Sequence, residues 1–167
     1  GNLPYNISKP IAMRMIDAHR LVARAVFMFQ SEVADRLTSS PGGRDYGPLT
    51  VLAGRAYRIE RSFDLGPGSF RPRPTVRSTV TRWVPREDRP TAGELHALRV
   101  CLRACFASRR KTLSNNLRTA LGCDDRAAAR LLAGAGLDPG ARAETVPPDG
   151  FVRLARRWPQ PRRGAAP

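Results

Sequence analysis

The segment PREDRPTAG, Pro85 to Gly93, separates two stretches of sequence that obey different periodicities. Its two prolines, its glycine and its charges suit neither a helix interior nor a central strand. Before it, apolar residues recur at both strand and helix spacing; beyond it they recur at helix spacing alone. A chain divided in this way is expected to form an α/β unit over residues 1–85 and a small all-α unit over residues 86–160, with residues 161–167 as a disordered tail.

In the first stretch, ISKPIAMRMIDAHR sets Ile11, Met15 and Ile16 on one helix face, with Ser8 as N-cap and Pro10 in the first turn. The run AVFMFQ, Ala25 to Gln30, is rich in β-forming residues and predicts a buried strand, and SEVADRL continues as a helix bearing Val33 and Leu37. After the loop SSPGGRDYG, a helix is expected from Leu49 to Ala56. YRIERSFDL then alternates Tyr57, Ile59, Arg61, Phe63 and Leu65 against their neighbours, as a strand does. The prolines of GPGSFRPRPTV bar helix and central strand over residues 67–74, after which RSTVTRWV resumes as a strand in a hairpin-like pair. Strand, helix and strand followed by two closely linked strands predict the second half of an α/β sheet that ends in an antiparallel pair.

In the second stretch, Leu95, Leu98, Leu102, Cys105 and Phe106 form an apolar stripe, while Arg99, Arg103 and Arg110 share another face with Arg109 and Lys111 beside them. Leu113, Leu117 and Leu121 continue at helical spacing behind a Thr112 cap. Asp124 caps a third helix ending at Gly134 or Gly136, Asp138-Pro139 carries the signature of another start, and Phe151, Leu154 and Trp158 mark a last amphipathic helix.

A formal net charge of +15 favours a polyanionic partner, nucleic acid above all. Lys9 and Lys111 are the only lysines among the 29 basic residues, so part of the excess reflects arginine-rich coding; arginine binds phosphate bidentately all the same. Cys101, Cys105 and Cys123 are odd in number and form no Cys-x-x-Cys pair, which fits a reducing cytosol better than a disulfide framework. Neither His19 nor His96 sits at ligand spacing from a cysteine, so no metal site is expected. No apolar run approaches the roughly 20 residues of a membrane span, and no charged-then-apolar leader precedes the first motif. A motif at residue 2 with no initiating Met reads as a piece of a longer protein.

That motif is Asn2-Leu3-Pro4-Tyr5. On its own it reads as a turn between a strand end and a helix, or as the floor of a pocket for a planar base. In the second case Pro4 holds Leu3 extended so that the Leu3 carbonyl is available, the Asn2 side chain supplies a second acceptor, and Tyr5 supplies a stacking face. Two acceptors beside a ring suit an exocyclic amine. The N6 lone pair of adenine is delocalised into the ring, and hydrogen bonds that hold its N–H groups out of plane favour the pyramidal nitrogen needed for attack.

The order GNLPYNIS, FMFQSEVADRL, DYGPLTVLA, SFRPRPTVRSTV, FASRRKTLSNNL, GLDPGARAE resembles the small-subunit ribosomal RNA adenine dimethyltransferases, the KsgA family, from residue 1 almost to residue 158. The resemblance implies the second half of a Rossmann-like class I S-adenosylmethionine-dependent methyltransferase core followed by a small all-α domain. It implies dimethylation at N6 of two adjacent adenines in the 3′-terminal hairpin loop of small-subunit rRNA, in the cytoplasm, by a monomer acting on the assembling 30S subunit.

By this resemblance Asn2 and the Leu3 carbonyl hold the target amine, Asn2 also faces the methyl donor, and Tyr5 stacks on the base with Phe70 closing its other side. Pro4 completes the catalytic motif. Arg71 and Arg73 beside the pocket, and Arg99, Arg103, Arg109, Arg110 and Lys111 in the helical unit, are the expected RNA contacts. Gln30 and Glu32 lie in the family's Q-x-E-V segment, with a structural role or a substrate role. Arg77 stands where relatives carry an acidic or small polar residue, and Gly54 where many carry Gln. The family's glycine-rich cofactor loop and its ribose and adenine contacts precede this motif and are not within residues 1–167; Gly134-Ala-Gly136 follows a helical pattern and reads as a cap. The rival readings are the large-subunit rRNA adenine methyltransferases of the macrolide-resistance type and a non-catalytic RNA-binding or assembly factor.

Overall fold

In the computed structural model, which describes residues 1–2 and 7–159, β1 (Ala25–Gln30), β2 (Tyr57–Leu65) and β3 (Ser78–Pro85) form a sheet in the order β1-β3-β2. Both pairings are antiparallel. The sheet belongs to the first of two units, Gly1–Leu95 and His96–Pro167. Gly1 and Asn2 add a short parallel contact on the free side of β1: Asn2 bridges Met28, the Gly1 nitrogen donates to the Val26 carbonyl at 2.7 Å, and the Met28 N–H donates to the Gly1 carbonyl at 3.0 Å.

One sheet face carries the core. Phe29, Phe27 and Ala25 lie opposite Thr79, Thr81 and Trp83, and Ile59 lies opposite Trp83 from the other flank. Trp83 meets the Phe27 and Tyr57 rings edge-on at 5.7 and 5.2 Å, and its indole N–H donates to Thr81. Replacing such a buried indole by alanine costs about 3–5 kcal/mol. Helices α2 (Ser31–Thr38) and α3 (Pro48–Ala56) pack on the sheet, and α1 (Ser8–Asp17) packs on α3. The Tyr57 hydroxyl donates to the Met15 carbonyl at 2.8 Å, tying α1 to the start of β2.

The run AVFMFQ is a strand, but it is not buried throughout: Phe29 is enclosed while Val26 is 48% exposed. Enclosing a strand on both faces needs a layer on each, and in this unit the buried strand positions, Ser78 excepted, lie on the face shared by Phe29, Thr79, Thr81 and Trp83. The alternation expected from Tyr57 to Leu65 also breaks. The register shifts between Arg61 and Phe63, skipping Ser62, so that Phe63 pairs with Val80 and Asp64 with Thr79. A bulge inverts every later side chain. Phe63 therefore leaves the Arg61 face and stands 57% exposed, while Asp64, itself exposed, comes to the face of Arg61 and Thr79. Ser8 is the first residue of α1 and buried, with Ile7 in the cap position, instead of being the cap itself.

His19, just past α1, is buried, with Nδ1 2.9 Å from the Ile16 carbonyl and Nε2 3.0 Å from that of Pro90. Pro90 lies in the breaker segment, which ends in a reciprocal cap for α4 (Ala92–Cys105): the Thr91 N–H donates to Glu94 at 2.7 Å and the Glu94 N–H to the Thr91 hydroxyl at 3.1 Å.

The second unit holds the rest of α4 with α5 (Leu113–Leu121), α6 (Asp125–Gly134) and α7 (Pro148–Arg156). Leu98, Leu102, Leu113, Leu117, Leu132, Phe151 and Leu154 form its core. Thr112 and Asp124 cap α5 and α6 as expected, accepting from the N–H groups of Asn115 and Ala127. Gly136, at φ +67°, turns the chain off α6 while the Leu137 N–H donates back to the Leu132 carbonyl. Asp138-Pro139 starts no helix. The Asp138 carboxylate accepts from the Gly140 N–H at 2.9 Å, a local turn that competes with helix initiation. Trp158 lies beyond the end of α7. All three cysteines are free thiols, and hydrogen bonding to Cys105, then burial, pushes the Cys101 thiol up from its ordinary value.

Candidate functional site

Strand direction decides which segments meet. Because Gly1 and Asn2 run parallel to β1, Asn2 lies toward the end of the sheet at which β1 reaches Gln30. Because β3 is antiparallel to β1 and to β2, its start at Ser78 and the end of β2 at Leu65 lie there too. Asn2, the β1–α2 junction at Gln30 and Ser31, and the loop 66–77 carrying Phe70 therefore lie at one end of the sheet. The carboxyl end of parallel strands is where open α/β sheets bind their ligands.

Asn2 is exposed at that end. Leu3, Pro4 and Tyr5 lie outside the described residues. Phe70 is half-buried and follows a single 3-10 turn, Pro67–Ser69; the Arg71-Pro72 peptide is cis, and Arg71, Arg73 and Arg77 are exposed around it. Gln30 is half-buried, whereas exposed Glu32 pairs with Arg36 one turn on, at 2.7 Å, so its carboxylate is engaged within α2.

Beneath the loop stands a polar cluster that sequence patterning does not reveal. Buried Thr79 donates to Asp64 at 2.6 Å and shares a 2.9 Å hydrogen bond with Ser31. Arg61 donates to Asp64 at 3.0 Å and pairs with Asp35 on α2. The Thr79 hydroxyl first, then Arg61, with Arg77 adding, holds the Asp64 carboxyl below its ordinary value against an opposing desolvation. Only the bulge at Ser62 brings Asp64 to this face, and nothing in the alternation of YRIERSFDL announces it.

The basic residues of the second unit do not share one helix face. Helix α4 ends at Cys105, so Arg109 and Arg110 fall in a turn closed by the Lys111 N–H on the Ser108 carbonyl at 3.2 Å. Asn116, buried in α5, fixes that turn by donating to the carbonyls of Cys105 at 2.8 Å and Ser108 at 3.0 Å. The carbonyl of Cys105, the last of α4, is thereby supplied with a partner. Arg103, Arg109, Arg110 and Lys111 are exposed, while Arg99 is half-buried.

Beside the turn, Lys111, Asn115, Arg118, Thr119, Gly122 and Cys123 line an open groove of about 530 Å³. Of these only Lys111 and Cys123 stand out in the sequence, although the spacing of 115, 118 and 119 places them on one face of α5, away from Leu113 and Leu117. Arg118 is held at 2.8 Å by Asp125. Among the described residues, no group of three His, Cys, Asp or Glu could hold a metal, and no helix is long and apolar enough to cross a membrane.

The profile of the family described as "Ribosomal RNA adenine dimethylase" matches residues 1–158. The chain is 43% identical over 154 residues to the ribosomal RNA small subunit methyltransferase A of Nitratidesulfovibrio vulgaris, covering 92% of this chain and 57% of that protein. It is 43% identical over 160 residues to the protein of the same name from Myxococcus xanthus, covering 93% and 56%. The chain thus spans little more than half the length of these relatives. Among solved structures, a dimethyladenosine transferase from Plasmodium falciparum shares the fold with a TM-score of 0.78 at 24% identity, over 92% of this chain and 63% of that one. The 23S rRNA methyltransferase ErmE matches with a TM-score of 0.65 at 25% identity, over 94% and 63%.

Proposed function

Since the chain belongs to the ribosomal RNA adenine dimethylase family, we propose that it forms the base-binding part of an S-adenosylmethionine-dependent enzyme that dimethylates N6 of two adjacent adenines. The substrate is the 3′-terminal hairpin loop of small-subunit rRNA, met in the cytoplasm on the assembling subunit, and the enzyme acts as a monomer. The observation that carries this reading is the parallel bridge from Asn2 to Met28, which sets Asn2 at the sheet end from which the Phe70 loop also rises.

The Asn2 side-chain oxygen and the Leu3 carbonyl accept from the two N–H groups of the target amine, and Tyr5 and Phe70 hold the ring between them. Acceptors placed for a pyramidal nitrogen bind it more strongly than the flat ground-state amine, and they share the positive charge that grows as the new bond forms. No strong general base is needed, because the methylated nitrogen sheds its proton to water. Asn2 offers an amide donor and an acceptor at the strand end, a set that suits the methionine portion of the methyl donor; when bound, that donor supplies an electrophilic methyl on its sulfonium sulfur. Arg71 and Arg73 beside the pocket, with Arg99, Arg103, Arg109, Arg110 and Lys111 in the second unit, grip backbone phosphate.

The test is methyl transfer by the protein that carries this chain, offered 30S particles without dimethyladenine and, in parallel, naked large-subunit rRNA. Primer extension should stop at two adjacent adenines near the small-subunit 3′ end. Modification of large-subunit RNA instead would favour the ErmE-like reading, and RNA binding without transfer would favour the assembly factor.

A further inference from the structure

Ser31 stands where β1 gives way to α2, and the β3 stem of the loop 66–77 is bonded to it directly, the β2 stem by way of Thr79. Its N–H donates to the Arg77 carbonyl, just before β3, at 3.0 Å. Its hydroxyl meets that of Thr79 at 2.9 Å, and Thr79 meets Asp64, near the end of β2, at 2.6 Å. The protons fix the direction of this relay. Thr79 has one hydroxyl hydrogen and ionised Asp64 only accepts, so that hydrogen points to Asp64 and Ser31 must be the donor to Thr79. Arg61 reinforces the relay, donating to Asp64 at 3.0 Å and to Thr79 at 3.4 Å while it pairs with Asp35 on α2.

Among the described residues the loop has little else to hold it. Arg71, Pro72, Arg73, Thr75, Val76 and Arg77 are exposed, with Phe70 and Pro74 half-buried. The ladder between β2 and β3 joins the two stems to each other. The contacts through Ser31 join them to the segment that follows β1. Thr79 is fully buried, where an unpaired hydroxyl is costly, so the relay favours one arrangement.

We infer that Ser31 is a positioning residue: through Arg77 and Thr79 on the β3 stem, and through the bond from Thr79 to Asp64 on the β2 stem, it sets where the Phe70 loop stands relative to the chain leaving β1. This rests on the reading of that sheet end as the adenine pocket. Ser31 touches neither base nor methyl donor in this role.

The experiment compares Ser31→Ala, Ser31→Thr and Thr79→Val in the protein that carries this chain. Two readouts are taken: hydrogen exchange of residues 66–77, and single-turnover methylation of small-subunit particles with its dependence on particle concentration. Ser31→Ala and Thr79→Val should each speed exchange in the loop about five- to tenfold while leaving α3 and β1 unchanged. Turnover should fall about tenfold with half-saturation within about twofold, since a displaced ring misplaces the base without removing phosphate contacts. Ser31→Thr keeps the hydroxyl and should restore both. Unchanged loop exchange in Ser31→Ala overturns the inference, and so does faster exchange spread through α3, which marks a merely structural hydroxyl. If Ser31→Ala does not fold, Thr79→Val decides on the same two readouts. If the loop loosens as expected but the unaltered protein methylates no rRNA, the anchoring stands and the proposed function fails.

Discussion

Asn116→Leu isolates the worth of one buried amide, because leucine matches asparagine in size and donates nothing. Asn116 sends its two hydrogens to the carbonyls of Cys105 and Ser108. A buried polar group left without a partner costs about 1–3 kcal/mol. The two carbonyls are not equivalent. That of Ser108 also accepts from the Lys111 N–H and lies in a partly exposed turn, whereas that of Cys105 ends a helix against the core. The larger share therefore falls on Cys105, and the expected loss is about 2–4 kcal/mol. Urea unfolding of the chain, followed by far-ultraviolet circular dichroism, measures it. Asn115→Leu is the control, since exposed Asn115 reaches only Arg118 through its side chain, at 3.5 Å, and should stay within about 0.5 kcal/mol. If Asn116→Leu also stayed within that margin, the amide would not be what holds the turn. The same variant carries a second expectation: once Arg109 and Arg110 are released from a fixed corner, RNA affinity should fall with no change in which adenine is modified.

In the protein that carries this chain, Asn2→Ala should lower single-turnover methylation by about 2–4 kcal/mol with RNA affinity unchanged, and near-normal turnover would exclude the amide from the chemistry. Asp64 is held below its ordinary carboxyl value, so its contribution to stability is present above the unfolded value near 4 and is lost as pH falls through the folded one. The stability gap between the native chain and Asp64→Asn should therefore close below about pH 4, and an equal gap at pH 3 and pH 7 would contradict the assigned cause. Exchanging Arg103 and Arg110 for Gln should reduce the slope of log affinity against log salt by roughly 0.7–0.9 for each phosphate no longer neutralised; an unchanged slope moves the RNA grip to Arg71, Arg73 and Arg77.

The elements written in local pattern were legible. Ala25–Gln30 is bounded in the structure as the apolar run suggests, Thr112 and Asp124 cap the helices their spacing predicts, and the two strands around the proline-rich loop do pair. What escaped the sequence depends on partners distant along the chain. A run such as AVFMFQ reports the preference of the strand, but not which layers come to cover it, and so Val26 was expected inside. Asp138-Pro139 has the residues of a helix start, yet the carboxylate closes a turn on Gly140. Of the candidate site, Asn2 and Phe70 were legible as motif residues. Ser31 and Thr79 were not, for a hydroxyl that completes a relay looks in sequence like any other serine or threonine. Asn116 was visible only as part of a motif, without its reason.

The unpaired residue at Ser62 makes the first stem of the hairpin one residue longer than its partner requires. Strand side chains are counted in twos, so this stem has a parity as well as a length. Deleting Ser62 would close the bulge and leave Arg61 opposite Thr81, Phe63 opposite Val80 and Asp64 opposite Thr79, so this one residue can be lost without separating the loop from its anchor. A single residue added elsewhere in β2, by contrast, would turn over the part of the stem on one side of it, and changes at the loop tip, beyond both stems, would not engage the ladder. Length variation in proteins built on this hairpin should therefore collect at the bulge and at the tip of the loop.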